Sequence, residues 1–267
     1  MSFEPGGAPP PAQEDWAYFL DVDGTLIEIA ERPEAVCVPE SLPGLLATLE
    51  RVTGGACALV SGRRIGELDA MFAPLMLPAS GVHGVEWRAG GTEILTADPR
   101  DRAHDAALLE EALGQARVAL GAFVGDHPGL MLEDKGTALA IHYRAAPALG
   151  EQVAAAGDAL LALYPVLVGQ PGKMVLELKP RGVDKGVAIR RHLDEAPFRG
   201  RRPVYVGDDL TDEHGFMAAN ALDGVSIRVG DGDPTLARWR LPDVAAVHAW
   251  LGALAARAEA GASHGVA

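Results

Sequence analysis

The sequence has few of the features that mark secreted, membrane-spanning or disulfide-stabilised proteins. It contains two cysteines, Cys37 and Cys57, which form no CxxC pair. We therefore expect two buried thiols in a reducing compartment rather than a disulfide framework. No run of about 18 apolar residues is present, so no membrane-spanning helix is expected. The N-terminal residues have neither the basic start nor the apolar run of a secretory signal, and a cytoplasmic location is predicted.

Basic residues are also scarce. The 267 residues include 23 Lys and Arg against 37 Asp and Glu, which gives a formal net charge of −14. Such a surface repels phosphate backbones, so neither nucleic acid nor an anionic membrane is expected as a partner. A small anionic substrate would need local positive charge, from a metal ion or from placed Lys and Arg side chains, to offset this field.

What is present is the composition and patterning of a globular α/β protein. Apolar residues make up 48% of the chain and charged residues 22%. Short apolar runs typical of buried strands, at Trp16–Leu20, 56–60 and 204–206, alternate with helical patterns such as 41–51 and Lys185–Leu193. Buried strands interleaved with helices indicate a doubly wound parallel sheet, a Rossmann-like core.

The middle of the chain has a different pattern, in which a helix and a hairpin are followed by another helix and another hairpin. This pattern predicts a small α+β domain inserted into the parallel-sheet core. The predicted organisation is a disordered, Pro/Gly-rich leader at 1–15, a core at 16–99 and 182–255, an inserted α+β cap domain at 100–181, and a flexible tail at 256–267.

Polar residues follow the predicted strands directly, and a fourth polar segment begins a helix. The four segments are Asp21-Val22-Asp23-Gly24-Thr25, Ser61-Gly62-Arg63, Gly207-Asp208-Asp209 and Asp184-Lys185-Gly186. Each alone has a common structural explanation, such as a turn, a strand exit, a helix cap or a solvated lysine. Together they predict one site, because ligands gather beyond the carboxyl ends of parallel strands.

The residue types in these segments suit phosphoryl transfer. Asp21 and Asp208 can ligate Mg²⁺ through carboxylates, with the backbone carbonyl of Asp23 as a further oxygen ligand. The Asp21 carboxylate can attack phosphorus and form an acyl phosphate, while Asp23 protonates the leaving oxygen and later takes a proton from water. Ser61 can donate to a phosphoryl oxygen, and Lys185 can balance negative charge.

These residues resemble the four ordered motifs of the haloacid dehalogenase superfamily. Asp21-Val22-Asp23-Gly24-Thr25-Leu26 is similar to the first motif, Ser61 to the second, Lys185 to the third and Asp208 to the fourth. The inserted α+β segment between Ser61 and Lys185 resembles the larger cap type of that superfamily.

A closer resemblance, over most of residues 16–230, is to the trehalose-6-phosphate phosphatase family. It is carried by further segments: Val60-Ser61-Gly62-Arg63, Gly81-Val82-His83-Gly84-Val85-Glu86, Glu133-Asp134-Lys135, Gly172–Pro180 and Val206–Glu213. The resemblance implies hydrolysis of trehalose 6-phosphate with Mg²⁺. It implies sugar contacts by Glu133, Lys135 and Glu177, and a cap–core junction lined by Arg63, His83 and Gly84. The full predicted substrate-binding set is Thr25, Gly62, Arg63, His83, Gly84, Glu133, Lys135 and Glu177, supported by Asp209 and Asp212.

Alternatives remain at this point. The same chemistry could act on sucrose 6-phosphate or a glycosyl-phosphoglycerate, since matched hydroxyl contacts decide which sugar is accepted. A non-catalytic sugar-phosphate sensor is expected to lack Asp21, Asp23 or Asp208, and all three are present. A lone histidine is more often structural than functional, and His142 is left out of the predicted site.

Overall fold

The computed structural model describes residues 6–29, 36–95 and 103–264. The chain divides into two compact units. The first comprises Met1–Ile94 and Asp184–Ala267, and the second comprises Leu95–Val183. The inserted domain was predicted at 100–181, so its bounds differ from those of the second unit by five residues at the start and two at the end. Among the described residues, no helix has the length and apolar character needed to span a membrane.

The first unit is built on a seven-stranded sheet. Its strands are β1 Trp16–Leu20, β2 Cys57–Val60, β3 Ala79–Gly81, β4 Glu86–Arg88, β9 Arg202–Gly207, β10 Val225–Val229 and β11 Trp239–Leu241; the numbers β5 to β8 belong to the second unit. Their order is β11-β10-β9-β1-β2-β3-β4. Neighbouring strands run parallel, except β4, which is antiparallel to β3.

Helices cover both faces of this sheet. They are α1 Leu42–Val52, α2 Ile65–Phe72, α5 Lys185–Leu193, α6 Glu213–Ala221 and α7 Val244–His264, with short 3₁₀ turns at Val82–Gly84 and Leu210–Asp212. Alternate β1 residues enter opposite cores: Leu20 packs with α1 and α7, and Phe19 packs with α5 and α6. The predicted doubly wound, Rossmann-like fold is confirmed.

The second unit is a four-stranded antiparallel sheet with helices on one face. The strands are β5 Met131–Asp134, β6 Leu139–His142, β7 Leu167–Gly172 and β8 Val175–Pro180, in the order β5-β6-β8-β7. The helices are α3 Ala103–Gly125 and α4 Gly150–Leu163. Leu139, Ile141 and Leu178 bury their side chains against these helices. Because side chains alternate along a strand, the sequence neighbours Ala140 of β6 and Glu177 of β8 point to the other face.

The ends of the chain differ from the prediction. Residues 6–15 are ordered, so predicting disorder there was wrong. Ala12 is buried, the Pro10 carbonyl accepts from Trp250 Nε1 at 2.9 Å, and Gln13 N donates to the Tyr18 hydroxyl at 2.8 Å. These contacts with α7 and β1 outweigh the flexibility of the Pro/Gly-rich composition. Residues 1–5 lie outside the described residues.

Two smaller expectations also need correction. Helix α7 continues to His264, so predicting a flexible tail from 256 was wrong as far as that residue. The guanidinium of Arg257, which lies in the predicted tail, donates to the Ala12 carbonyl and ties the helix to the ordered leader. Residues 265–267 lie outside the described residues. Cys57 is buried as expected, but Cys37 is exposed.

Candidate active site

The carboxyl ends of three adjacent strands position the central polar residues. Asp21 follows β1 directly, and its backbone N–H donates to the Val206 carbonyl of β9 at 3.0 Å. Asp208 follows β9, and Ser61 follows β2. Since β9, β1 and β2 are parallel neighbours, these residues leave the sheet at one edge. All three are buried.

Lys185 brings a positive charge to this edge from the start of α5. The helix begins there because the Asp184 carboxylate accepts from Val187 N at 2.8 Å and caps the helix. Lys185 Nζ donates to Asp21 Oδ1 at 2.7 Å and to Asp212 Oδ1 at 2.6 Å. A single ammonium group therefore bridges two buried carboxylates.

Asp212 is held by a full set of donors. Its Oδ1 accepts from Lys185 and from the Tyr205 hydroxyl, the latter at 2.6 Å, while Oδ2 accepts from the backbone N–H groups of Asp208 and Asp209, both at 2.8 Å. A carboxylate has about four lone-pair positions, and these four bonds use them. Asp212 is thus suited to fixing Lys185 and the Asp208 loop.

Three carboxylates converge here. One oxygen each of Asp21, Asp208 and Asp212 lies within 4.8 Å of the others. The close approach of Asp208 to the first motif depends on Gly24, whose φ of +82° suits glycine and where an added Cβ would overlap the Asp208 carboxylate. The Thr25 hydroxyl, predicted as a substrate contact, is fully buried and donates to Asp21 Oδ2 at 3.2 Å.

The electrostatics of this group favour an added cation. Burial raises the pKa of Asp21 well above its ordinary value, although the charge of Lys185 opposes the shift. Burial would also raise the pKa of Asp212, but Lys185 and the hydrogen bonds from Tyr205 and Asp209 outweigh it and lower that pKa. Three carboxylates against one ammonium leave two negative charges uncompensated in a buried site, which a divalent cation would neutralise.

Asp23 makes a different contact from the other aspartates. Arg63 Nε donates to its Oδ2 at 2.7 Å and Arg63 Nη2 donates to its Oδ1 at 2.6 Å, so the pair is bidentate. The Asp23 side chain remains 34% exposed. The backbone N–H of Arg63 donates to the Ser61 hydroxyl at 3.1 Å. The first and second motifs are thereby joined through Arg63.

The predicted residues His83 and Gly84 lie in the 3₁₀ turn after β3. His83 has a φ of +55°, which is uncommon for a residue other than glycine, and Gly84 has a φ of +105°. The His83 ring packs on Gly62, where an added Cβ would lie 2.6 Å from His83 Nε2. Gly62 is therefore needed for the close approach of the imidazole to the second motif.

The second unit contains its own polar group. Lys135 Nζ donates to Glu177 Oε1 at 3.1 Å, and both side chains are largely buried. Glu133 Oε2 lies 2.8 Å from Nε2 of His142. The structure thus brings together the predicted Glu133, Lys135 and Glu177 on one sheet, and it adds His142, which the sequence reasoning had excluded.

Two other residues were missed in the first unit. Tyr205 lies inside a buried apolar strand, so no sequence pattern marks its hydroxyl as a hydrogen-bond donor to Asp212. Glu86 accepts from Ile65 N at 2.7 Å and from Arg64 Nε at 3.2 Å, and so fixes the start of α2 beside the second motif. Glu86 belongs to the Gly81–Glu86 segment that carries the family resemblance, and this was the sequence signal that could have indicated its role.

The chain is also similar to proteins of known family. Residues 19–245 match the family model described as trehalose-phosphatase. The chain belongs to the trehalose-phosphatase family. It is 41% identical over 248 residues to the trehalose-6-phosphate phosphatase of Escherichia coli (strain K12), covering 93% of this chain and 90% of that protein. It is 40% identical to a probable trehalose-phosphate phosphatase of Sinorhizobium fredii, covering 92% and 88%.

Solved structures give the same relationship. The crystal structure of a trehalose-6-phosphate phosphatase related protein superimposes with a TM-score of 0.76 at 26% identity, covering 91% of this chain and 99% of that chain. The C-terminal domain of trehalose-6-phosphate phosphatase from C. albicans gives a TM-score of 0.79 at 22% identity, covering 93% and 99%, which supports the fold. The fold of this family member is thus shared along nearly its whole length.

Proposed function

We propose that this protein hydrolyses trehalose 6-phosphate to trehalose and phosphate, as a step of trehalose synthesis, with Mg²⁺ as cofactor and Asp21 as nucleophile. The observation that carries the proposal is the buried cluster of Asp21, Asp208 and Asp212 bridged by Lys185, in a chain of the trehalose-phosphatase family. The acidic net charge and the relatives of this chain favour a cytoplasmic enzyme that uses a small sugar phosphate and binds neither nucleic acid nor membrane.

The residues of the first unit fit a divalent cation. Asp21 and Asp208 would hold it through carboxylate oxygens, with the Asp23 carbonyl as a further ligand. Asp212 is less suited as a ligand because its four lone-pair positions accept from Lys185, Tyr205 and two backbone N–H groups. When bound, the ion offsets the repulsion between the phosphate dianion and the attacking carboxylate.

The chemistry then divides into two displacements at phosphorus. In the first, an Asp21 oxygen bonds to phosphorus, the bond from phosphorus to the sugar oxygen breaks, and Asp23 gives its proton to that oxygen. In the second, Asp23 takes a proton from water, the water oxygen bonds to phosphorus, and the bond to Asp21 breaks. Lys185 and Ser61 stabilise negative charge throughout.

The pairing of Asp23 with Arg63 bears on this cycle. A guanidinium can only donate, and in the structure it donates to both Asp23 oxygens. An Asp23 that carries a proton keeps fewer lone pairs and loses the charge that strengthens these contacts, so its pairing with Arg63 is weaker. We propose that this bidentate pair corresponds to the ionised Asp23 that acts as base.

The sugar is assigned to the polar residues of the second unit. Glu133, Lys135 and Glu177 offer charged acceptors and donors that can bond several hydroxyl groups of a disaccharide. Sucrose 6-phosphate and a glycosyl-phosphoglycerate present other hydroxyl patterns and are the alternative substrates. A sensor that binds without hydrolysis is a weaker alternative, because the chain has every residue that the two displacements require.

The substrate proposal predicts the outcome of a comparison among phosphate esters. Phosphate release should be fast from trehalose 6-phosphate with Mg²⁺, slow from sucrose 6-phosphate and glucose 6-phosphate, and absent when EDTA removes the metal. Release is measured as inorganic phosphate, beside p-nitrophenyl phosphate as a substrate without a sugar. Faster release from another sugar phosphate would overturn the substrate and keep the mechanism. Binding of Mg²⁺ without release from any ester would favour the sensor.

A second prediction concerns Gly24. Gly24→Ala should lower kcat/KM by about 10²-fold, because the added Cβ overlaps Asp208 and displaces a metal ligand by about an ångström. The concentration of Mg²⁺ needed for half-maximal activity should rise as well, and both are measured by titrating activity with Mg²⁺.

Gly91→Ala is the matched control for that variant. Gly91 also has a positive φ, of +74°, but its added Cβ would meet no atom within 4 Å. The two variants share the backbone strain and differ in the clash with Asp208. Equal effects of both on Mg²⁺ dependence would contradict the role assigned to Gly24.

A further inference from the structure

The polar face of the second unit has its charged residues in one row across three strands. Glu133 of β5 pairs in register with Ala140 of β6, and Ala140 pairs with Glu177 of β8. The neighbouring residues Leu139, Ile141 and Leu178 are buried on the other face. Two carboxylates therefore stand on the same face, on either side of the small side chain of Ala140.

Each carboxylate in this row has its own donor. Glu177 accepts from Lys135 at 3.1 Å, although Lys135 is two residues from Glu133 in sequence. Glu133 is instead bonded to His142, at 2.8 Å between Oε2 and Nε2. An ionised carboxylate can only accept, so His142 Nε2 must carry the hydrogen in this contact.

The contact with His142 affects the pKa of Glu133. The hydrogen bond from His142 is the largest cause of a lowered pKa of Glu133, with Lys135 adding to it, while burial and the charge of Glu177 oppose it. The side chains of His142 and Glu133 keep 24% and 29% of their exposure, so the pair is accessible to a ligand. An ionised, oriented carboxylate accepts hydrogen bonds from hydroxyl groups about twice as strongly as a neutral acceptor.

We propose that His142 is a positioning residue for sugar recognition, holding Glu133 Oε2 so that the remaining lone pairs of this carboxylate accept hydroxyl groups of a neutral polyhydroxylated sugar. The inference rests on the proposed function, because Glu133 is a sugar contact only if the substrate is a sugar phosphate. His142 and Lys135 then have equivalent tasks, each fixing one of two carboxylates that would otherwise repel each other.

The test separates sugar recognition from phosphate chemistry. His142→Leu removes the donor, and His142→Gln keeps an N–H near the position of Nε2. We expect His142→Leu to raise KM for trehalose 6-phosphate about tenfold, equal to about 1.4 kcal/mol. Its kcat/KM for p-nitrophenyl phosphate should match that of the wild type. His142→Gln should restore most of the affinity for trehalose 6-phosphate.

Two controls distinguish positioning from a general structural role. His127→Leu removes a half-buried imidazole in the same unit, which bonds the Phe123 carbonyl through Nδ1 at 2.7 Å and not a carboxylate. It should leave KM unchanged. In a Glu133→Ala background, which removes the acceptor, His142→Leu should add little further loss, since it acts through Glu133.

The outcomes that would overturn the inference are distinct from failure of the proposed function. An unchanged KM in His142→Leu, an equal loss with p-nitrophenyl phosphate, or a full tenfold further loss in the Glu133→Ala background would each exclude positioning through Glu133. Wild-type protein that hydrolyses p-nitrophenyl phosphate but not trehalose 6-phosphate would instead overturn the proposed substrate.

Discussion

Substituting Asn for Asp21 is expected to abolish phosphate release while the protein stays folded. The amide has the shape of the carboxylate but cannot form the acyl phosphate, so kcat should fall by about 10⁴-fold or more, the scale seen when a nucleophile is removed. Stability should change little, because the amide keeps the shape of the carboxylate and Lys185 keeps its bond to Asp212 at 2.6 Å. Single-turnover phosphate release and thermal unfolding measure the two effects.

Asp158→Asn is the matched control for this variant. Asp158 lies on α4 in the second unit, and its side chain is exposed. The same chemical change there should leave kcat, KM and the melting temperature within error of the wild type. Asp21→Asn protein that retained more than about one per cent of the wild-type kcat would exclude Asp21 as nucleophile, since removing the nucleophile leaves far less. An unfolded variant would refute the expected stability.

The sheet could be predicted well where strands carry unbroken apolar runs. β1 and β9 are flanked on both faces by helices, so almost every residue is apolar, and the polar residues begin where the strand ends. β4 was missed because two of its three residues, Glu86 and Arg88, are charged. Arg88 is nevertheless buried, since Asp69 accepts from it at 2.8 and 2.6 Å and the Leu77 carbonyl accepts as well. Such compensation exists only in the folded chain.

The grouping of the active-site residues could also be predicted from the strand pattern, whereas the hydrogen bonds among their side chains could not. The carboxyl ends of parallel strands meet at one edge, so the order of the motifs sufficed to group Asp21, Lys185 and Asp208. The contact of Arg63 with Asp23 spans 40 residues and depends on side-chain conformation. Spacing also misleads in the second unit, where Lys135 bonds a carboxylate two strands away in the sheet rather than its near neighbour in sequence.

Replacing Lys185 by Met should have the largest effect on stability. Burial alone would lower the pKa of Lys185, but the charges of Asp21 and Asp212 and the hydrogen bonds to both outweigh it and raise that pKa. A raised pKa means that the ion pairs stabilise the folded state fully at every pH below the ordinary lysine value of about 10.4. At neutral pH, Lys185→Met leaves two buried carboxylates without their shared cation.

We expect Lys185→Met to lower the free energy of unfolding by about 3–5 kcal/mol and to abolish activity. The melting temperature should fall by roughly 6–20 °C in EDTA, and Mg²⁺ should recover part of it by supplying positive charge to the same carboxylates. Adding Asp21→Asn to Lys185→Met should also recover stability, since one uncompensated charge is removed while the shape is kept. If the double variant were no more stable than Lys185→Met, lost packing of the lysine stem, and not uncompensated charge, would explain the loss of stability. If instead stability recovers, the buried negative charge that Lys185 offsets is also the charge that would attract a divalent cation to Asp21 and Asp208.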